Sequence, residues 1–316
     1  MTKISRRRAV QWAGAAPLCL AQKSLAADPV NEIGFVRIGG IDQWVAIQGQ
    51  DIRNPAVLFL HGGPGEAQSP FLDEFKPWES GYTVVNWDQR GAGKTYEKNG
   101  NSSPDLSLDR LTDDAIELTE YVLKKFGKKK VVLVGQSVGT VLGLKVAQRR
   151  PDLFYAFVGT GQVVSDVRSA EWQEKQANVA PTHDAVEMKA LRQWAILSPP
   201  DQPYMNRMND FIGSPANPKP AAATWVAGYL FEAGKIGKET ESFDAMNRAL
   251  DLELPYILIQ GREDRITPFA VAEEYFNKVQ SNGKAIVPID GGHYACFTNP
   301  AGFVAALNKW VRPLTI

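Results

Sequence analysis

Cysteine, histidine and net charge are all scarce in this chain of 316 residues. The chain has two cysteines and three histidines, and its 35 basic and 35 acidic residues cancel. So few cysteines exclude a disulfide-stabilised scaffold, and no histidine or cysteine cluster has the spacing of metal ligands. The balanced charge does not indicate a nucleic-acid surface, and a Gly-x-Gly-x-x-Gly dinucleotide fingerprint is absent. We therefore expect no metal, no organic cofactor and no nucleic-acid partner.

The first 27 residues differ in charge from the rest of the chain. They contain five basic residues and no acidic one, so their removal would leave 30 basic against 35 acidic residues. Arg6 and Arg7, followed by the mildly apolar stretch Ala9–Ala21 and small residues before Asp28, are typical of a twin-arginine export signal. That stretch is too short and too interrupted for a stable membrane insertion. We expect residues 1–27 to direct the protein to the periplasm or out of the cell; the alternative is a basic tail on a cytoplasmic protein.

Short β-branched runs alternate with helical patterns over most of the chain. This alternation predicts an α/β fold with a mostly parallel sheet covered by helices on both faces. Residues 163–252 break the alternation, because they show helix-like segments rich in Trp and Met and no convincing strand. We expect residues 28–162 and 253–316 to form the core, and residues 163–252 to form a helical cap inserted between the sixth and seventh strands. Such a cap would cover the carboxyl ends of the strands, where ligands bind in open α/β sheets.

The segment Gly135-Gln136-Ser137-Val138-Gly139 follows the apolar run Val131–Val134 and precedes a helical pattern. A strand, then Gly-x-Ser-x-Gly, then a helix is the context of a nucleophile elbow. The turn is so tight that the serine backbone is strained, and side chains two residues to either side would collide with neighbouring strands. We therefore predict that Ser137 is an exposed nucleophile at the N-terminus of a helix.

A serine hydroxyl needs a base to remove its proton, and the chain has three histidines that could supply one. His293 lies in a Gly-Gly-His-Tyr turn after the last predicted strand, from which it can reach over the sheet edge, whereas His183 falls in the predicted cap without a supporting motif. The base in turn needs an acceptor on its other nitrogen. Asp264, in the turn after the preceding strand, is preferred to Glu263 because alternation turns only one of them inward. The order Ser137, Asp264, His293 is typical of α/β-hydrolases.

A glycine-rich loop, His61-Gly62-Gly63-Pro64-Gly65, comes directly after the apolar run Val57–Leu60. Glycines let backbone N–H groups approach a developing oxyanion without obstruction. We predict that Gly63 and Val138 donate the two N–H groups of an oxyanion hole, each worth about 3 kcal/mol of barrier lowering. His61 is expected to orient this loop by hydrogen bonding and not to act in catalysis.

Together these motifs resemble the α/β-hydrolase superfamily and, more narrowly, the proline iminopeptidase family of serine peptidases. The more specific pair is His-Gly-Gly-Pro-Gly at 61–65 and Asp-Gln-Arg-Gly-Ala-Gly at 88–93. The resemblance implies an eight-stranded sheet with a helical cap, and a structural role for Asp88 and Arg90. The chain also departs from the family, because Val138 stands where proline iminopeptidases usually have Trp.

Two residues of the predicted cap are candidates for substrate binding by the same resemblance. In the family, cap glutamates pair with the free amine of the substrate, one of them within a Trp-x-x-Trp-Glu motif, and residues 223–232 contain a loose counterpart of it. The resemblance makes Glu232 a candidate amine anchor and Trp225 a candidate part of the substrate pocket. The alternatives are a solvated helix glutamate for Glu232 and a place in the core of the cap for Trp225.

These residues lead to three hypotheses for the function. The first is a serine hydrolase that acts through an acyl-enzyme, as a proline iminopeptidase-like aminopeptidase on short peptides. The second is an esterase or lactonase on small acyl substrates, because an apolar cap lined by Trp and Met suits esters. The third is a ligand-binding protein that keeps the fold without turnover, against which the complete triad argues. The expected partner is thus a small molecule or a short peptide, and the sequence leaves the oligomeric state open.

Overall fold

The computed structural model describes residues 27–101, 105–179, 185–214 and 217–316. The export signal predicted at residues 1–27 lies, except for its last residue, outside the described residues, and so does His183. Eight strands within the described ranges form one central sheet. They are β1 (Val30–Ile38), β2 (Ile41–Gly49), β3 (Ala56–Leu60), β4 (Thr83–Trp87), β5 (Val131–Gln136), β6 (Phe154–Thr160), β7 (Tyr256–Gly261) and β8 (Lys284–Ile289).

The sheet is antiparallel at one edge and parallel over the rest of its width. Its spatial order is β1-β2-β4-β3-β5-β6-β7-β8, and β2 pairs antiparallel with both β1 and β4. The remaining pairs are parallel, with Phe59 opposite Val134 and Gly135 opposite Gly159 at the centre. The prediction of a mostly parallel eight-stranded sheet is confirmed. Parallel strands deliver their carboxyl ends to one edge, so the loops that follow β3, β5, β7 and β8 share that edge.

The central strands of the sheet are buried on both faces, which explains their continuous apolar runs. All five residues of β3 and all six of β5 are buried. Leu58, Leu133 and Phe157 belong to the apolar core on one face, and Phe59 and Val134 belong to the core on the other. At about 25 cal/mol per Å² of apolar surface removed from water, these two cores supply the main drive for folding.

Twelve α-helices, counted within the described residues, cover the sheet or lie between β6 and β7. At the start of the helix Leu108–Phe126, the Ser107 side chain accepts the N–H of Arg110 at 3.1 Å, and Gly127, with φ 60°, follows the last residue of this helix. The helices are α1 (Lys76–Glu79), α2 (Gly93–Asn99), α3 (Leu108–Phe126), α4 (Val138–Arg149), α5 (Asp166–Ala177), α6 (Ala185–Ile196), α7 (Gln202–Ile212), α8 (Ala223–Glu241), α9 (Ala245–Arg248), α10 (Phe269–Lys278), α11 (Ala295–Thr298) and α12 (Pro300–Trp310).

The segment between β6 and β7 is mostly helical and holds α5 to α9; we call residues 161–255 the cap segment. The expectation of no strand in this part of the chain is wrong at two places. Residues 213–214 pair with 217–218, and residues 251–252 pair with 280–281. Two-residue strands are too short to leave an apolar alternation in the sequence. None of the helices in the described ranges is both long enough and apolar enough to cross a lipid bilayer.

Candidate active site

Ser137 lies in a sharp turn between β5 and α4. Its backbone has φ 53° and ψ −127°, a conformation that residues other than glycine rarely adopt. A Cβ at Gly135 would lie 2.5 Å from the carbonyl oxygen of Gly139, and one at Gly139 would lie 2.1 Å from that of Leu60. The turn therefore requires glycine at both positions, and it places Ser137, half-buried, at the N-terminus of α4.

Asp264 and His293 follow the neighbouring strands β7 and β8, and their side chains face each other. Oδ2 of Asp264 lies 3.0 Å from Nδ1 of His293, and both residues are buried. The carboxylate also accepts the backbone N–H groups of Ile266 and Thr267, at 2.9 and 2.8 Å. Thr267 Oγ1 and Gln260 Nε2 donate to it as well, at 2.8 Å each. These donors fix the carboxylate against the imidazole.

The charges around His293 determine its affinity for a proton. Burial lowers the pKa of His293, but the carboxylate of Asp264 raises it by charge and by hydrogen bonding, and Asp201 and Glu66 add to that increase. The resulting pKa lies above the ordinary value of 6.5. An Nδ1–H group that donates to Asp264 leaves Nε2 able to accept a proton, which is what a general base requires.

Ser137 contacts the last residue of β6, and His293 contacts the turn that follows it. The N–H of Ser137 donates to the carbonyl oxygen of Thr160 at 3.0 Å. A Cβ at the next residue, Gly161, would lie 2.9 Å from Cε1 of His293. Gly161 has φ 55°, so the absence of a side chain permits both the turn and the approach of the imidazole. The structure thus brings Ser137, Asp264 and His293 to one edge of the sheet.

The glycine-rich loop after β3, residues 61–66, lies beside Ser137; we call it the oxyanion loop. A Cβ at Gly62 would lie 2.8 Å from Cβ of Ser137. Gly63 has φ 112°, in the region that favours glycine. Val138 is the first residue of α4, where a backbone N–H has no acceptor within the helix. The two residues predicted to form the oxyanion hole therefore belong to segments in direct contact at the serine.

His61 and the segment after β4 hold the oxyanion loop in place. Nδ1 of His61 lies 3.0 Å from the carbonyl oxygen of Gly62 and donates to it, and Nε2 accepts the N–H of Gln89 at 3.2 Å. Burial lowers the pKa of His61 to about 4, so the ring is neutral at physiological pH. The carboxylate of Asp88 accepts the backbone N–H groups of Ser69 and Lys94. Arg90 forms a buried ion pair with Asp114 of α3, in which Nε lies 2.7 Å from Oδ2.

Glu232 lies on α8 with its side chain against the oxyanion loop. The residue is 1% exposed, and its Oε2 has no hydrogen-bond partner among the residues that the structure describes. Burial raises the pKa of Glu232 well above its ordinary value; a hydrogen bond from the N–H of Gly65 opposes that effect, and the charge of Asp88 reinforces it. The alternative of a solvated helix glutamate is therefore wrong. A buried carboxyl group with an unused acceptor is suited to pairing with a cation.

Trp225, on the same helix, packs where the cap segment meets the core. Its indole N–H donates to the carbonyl oxygen of Ala67 at 2.9 Å, and its ring stacks on Tyr229 with centroids 5.8 Å apart. Trp225 also lines an open groove of about 370 Å³ together with Ser69 and Lys94. It therefore attaches α8 to the chain just beyond the oxyanion loop, and little of the ring remains exposed.

Glu66, the last residue of the oxyanion loop, is a buried carboxylate that the sequence reasoning missed. Its Oε1 accepts the hydroxyl of Tyr204 at 3.1 Å, and its Oε2 accepts that of Tyr294 at 3.3 Å. Burial raises the pKa of Glu66 to about 7, while the charge of His293 and the two tyrosine hydroxyls oppose that increase. An acidic residue directly after a predicted oxyanion motif is the signal that could have identified it.

Asp201, directly before α7, is another buried carboxylate that the sequence reasoning missed. Its oxygens accept the backbone N–H groups of His293 and Tyr294, at 2.9 Å each. Burial raises the pKa of Asp201, while the N–H of Tyr294 and the charge of His293 oppose that increase. No local motif marks Asp201, because its partners lie 92 and 93 residues further along the chain.

Comparisons with known proteins assign the chain to a family. A family model described as serine aminopeptidase, S33, matches residues 53–300. A probable aminopeptidase of Bacillus subtilis (strain 168), YbaC, is 28% identical over 302 residues, which cover 87% of this chain and 94% of the relative. A proline iminopeptidase of Clostridium botulinum is 23% identical over 292 residues, 82% of this chain and 90% of the relative. The crystal structure of a proline iminopeptidase-related protein from Thermus thermophilus has a TM-score of 0.62 at 23% identity, over 90% of this chain and 99% of that one.

The matched region includes every element that carries the site. It begins before β3 and ends beyond His293, so it contains the oxyanion loop, Ser137 and Asp264. The structural likeness shows the α/β-hydrolase fold. The chain is therefore a hydrolase and belongs to the serine aminopeptidase S33 family, a proline iminopeptidase-like family of α/β-hydrolases.

Proposed function

We propose that this hydrolase is a serine aminopeptidase that removes N-terminal residues, proline among them, from short peptides through an acyl-enzyme. The observation that carries the proposal is Glu232, a buried carboxyl group with an unpartnered oxygen, within the described residues, beside the oxyanion loop. A hydrolase of neutral substrates has no need of such a group, whereas an aminopeptidase binds a free ammonium group near the bond that it cleaves. The aminopeptidase and proline iminopeptidase relatives support the same substrate class.

In the proposed reaction, Ser137 attacks the carbonyl carbon of the first peptide bond. Nε2 of His293 takes the hydroxyl proton and then gives it to the departing amine, while Asp264 stabilises the imidazolium. The N–H groups of Gly63 and Val138 stabilise the oxyanion of the tetrahedral intermediate. Water, activated by the same histidine, then attacks the acyl-enzyme, releases the N-terminal residue and restores the serine.

Glu232 would bind the ammonium group between α8 and the oxyanion loop. Burial favours the neutral form of this carboxyl group, because it raises the pKa well above the ordinary value. An ammonium ion beside it would lower that pKa and stabilise the carboxylate. We therefore expect binding of a free-amine substrate to be accompanied by ion pairing at Glu232 and by release of a proton.

The test compares kcat/KM on L-prolyl p-nitroanilide with kcat/KM on its N-acetylated form, which lacks the ammonium group. We expect the enzyme to hydrolyse the free-amine anilide, and we expect kcat/KM for the N-acetylated anilide to be lower by about 100-fold or more. Glu232→Gln should raise KM for the free-amine substrate, whereas Glu241→Gln, at the exposed C-terminal end of the same helix, should not. Equal turnover of the two anilides would contradict the proposal.

An esterase or lactonase on small acyl substrates is the second candidate, and the aromatic character of the cap interface favours it. The ring centroid of Phe71 lies 5.5 Å from that of Phe211 and 6.5 Å from that of Trp225, so this region is strongly apolar. An apolar wall suits an uncharged acyl group. Turnover of a short-chain p-nitrophenyl ester without cleavage of the L-prolyl anilide would support this second function.

Residues 1–27 are proposed to act as a twin-arginine export signal. The support is Arg6 and Arg7 followed by an apolar stretch and small residues. Replacing both arginines with lysine should keep the protein in the cytoplasm of a host that has this pathway, whereas the parent should reach the periplasm. Cell fractionation measures the difference, and equal recovery of both proteins from the periplasm would contradict the proposal.

A further inference from the structure

One turn of the cap segment contacts both loops of the proposed catalytic centre. Asp201 ends the short turn Pro199–Asp201 and directly precedes α7, which carries Tyr204. Two side chains three residues apart on a helical turn lie on the same face. Both residues are buried, at 1% and 0% exposure. We propose that Asp201 and Tyr204 are positioning residues that form a brace between the oxyanion loop and the histidine loop (residues 290–294).

Asp201 binds the backbone of the histidine loop. Its Oδ2 accepts the N–H of His293 and its Oδ1 accepts that of Tyr294, both at 2.9 Å. A Cβ at Gly292 would lie 2.2 Å from Oδ2, so glycine at that position allows the carboxylate to approach. Two charge-assisted hydrogen bonds to successive amides fix the direction of the chain at His293. Because the imidazole is attached to this part of the backbone, its direction is restricted as well.

Tyr204 connects the same turn to the oxyanion loop. Its hydroxyl donates to Oε1 of Glu66 at 3.1 Å. Its ring stacks on Tyr294, with centroids 4.6 Å apart and planes 28° apart, and on Phe297, at 4.9 Å and 18°. The hydroxyl of Tyr294 donates to the other oxygen of Glu66 at 3.3 Å. Glu66 therefore receives one hydroxyl from the cap segment and one from the histidine loop.

These contacts form a closed ring of buried residues, in which each residue contacts the next. Asp201 holds the amide of Tyr294, Tyr294 donates to Glu66, and Glu66 accepts from Tyr204, which is one turn from Asp201. Because every link is buried, a displacement of one loop has to disturb a contact to the other. This inference rests on the proposed role of His293 as the base, and it does not depend on which substrate the enzyme takes.

The brace also brings charge close to the imidazole. The carboxyl groups that act on His293 are Asp264 from the loop after β7, Asp201 from the cap segment and Glu66 from the oxyanion loop. Each of them raises the pKa of His293, against the effect of burial. Neutralising Asp201 should therefore lower that pKa, an effect that a loss of packing alone does not produce.

The experiment measures the rate constant with which an aryl phosphonate inactivates the enzyme, between about pH 5 and pH 9. That reaction requires the base and the oxyanion hole but no particular substrate. Asp201→Asn should slow inactivation by about 10- to 100-fold and move the pH midpoint to lower pH. Tyr204→Phe keeps the ring and loses the hydroxyl, and it should slow inactivation by about 3- to 10-fold. Asp210→Asn makes the same charge change on the exposed face of α7 and should leave the rate and the midpoint unchanged.

Thermal unfolding of each variant separates a loss of fold from a loss of positioning. A parent-like rate and an unchanged midpoint for folded Asp201→Asn would overturn the proposal, whatever its Tm. If Asp201→Asn does not fold, Tyr204→Phe decides, because slowed inactivation supports the brace and a parent-like rate overturns it. A parent protein that does not react with the phosphonate would overturn the proposed function, and this inference with it.

Discussion

The carboxylate of Asp264 faces Nδ1 of His293 at 3.0 Å, and its other donors leave it little freedom to turn away. Gln260 and Thr267 donate to the same oxygen, Oδ2, that faces the imidazole. These three side chains come from the end of β7 and the turn after it, so one local segment supplies the acceptor together with its supports. The arrangement favours the tautomer with its proton on Nδ1, which the proposed mechanism requires.

Replacing Asp264 with Asn should remove most of the activity and leave the fold in place. The amide can present an N–H group to Nδ1 and so favour the wrong tautomer, and kcat should fall by about 10³- to 10⁴-fold. Glu263→Gln is the matched control, because Glu263 is the exposed neighbour in the same turn. Steady-state kinetics on the anilide measures both variants, and an equal loss of activity in the two would contradict the role of Asp264.

Glu66→Gln should make the protein more stable above neutral pH. Burial raises the pKa of Glu66 from 4.5 to about 7, so the folded state favours the neutral carboxyl group. The stability that this group contributes is present below about pH 4.5 and is lost as the pH rises through about 7. The loss amounts to about 3–4 kcal/mol at most, because the pKa rises from 4.5 to about 7 and one pKa unit corresponds to about 1.4 kcal/mol. Glutamine keeps the shape of the side chain and does not ionise.

Chemical denaturation at about pH 5 and about pH 8.5 measures this effect. The free energy of unfolding should fall more for the parent than for Glu66→Gln between the two pH values. Glu97→Gln removes an exposed carboxylate on α2 and should follow the parent. The same pH dependence in the parent and in Glu66→Gln would mean that Glu66 does not titrate in the way proposed here.

Gly139→Ala should destabilise the protein, whereas Gly237→Ala should stabilise it. A Cβ at Gly139 would lie 2.1 Å from the carbonyl oxygen of Leu60, and overpacking of this kind costs about 1–3 kcal/mol or more. A Cβ at Gly237, in the interior of α8, would meet nothing within 4 Å, so alanine should gain about 0.5–1 kcal/mol. Calorimetric Tm values should move in opposite directions. A parent-like Tm for Gly139→Ala would argue against the described turn.

The sequence predicts those parts of the site that depend on local geometry. The strained turn at Ser137 needs glycine at 135 and 139, so the geometry leaves a motif that can be recognised. Alternation of side-chain direction in the turn after β7 also distinguishes Asp264 from Glu263, and in the structure Asp264 is the buried residue of the two. The mostly parallel sheet is predicted by a different pattern, the alternation of β-branched runs with helical patterns along the chain.

Contacts between distant segments have no such local signal. Glu66 and Tyr204 are 138 residues apart in the chain, and their contact depends on how the cap segment docks on the core. The two-residue strands depend on tertiary context in the same way. A tryptophan in a cap also has the same sequence pattern whether its N–H meets a substrate or, as for Trp225, the carbonyl oxygen of Ala67.

The most direct test of the account is the identity of the residue that forms the covalent adduct. Mass spectrometry after reaction with an aryl fluorophosphonate should show a single adduct on the parent, which peptide mapping should place on Ser137. Ser137→Ala should show none, and His293→Ala should react far more slowly because the base is missing. An adduct on another residue, or an unchanged adduct in Ser137→Ala, would contradict Ser137 as the nucleophile and with it the proposed mechanism.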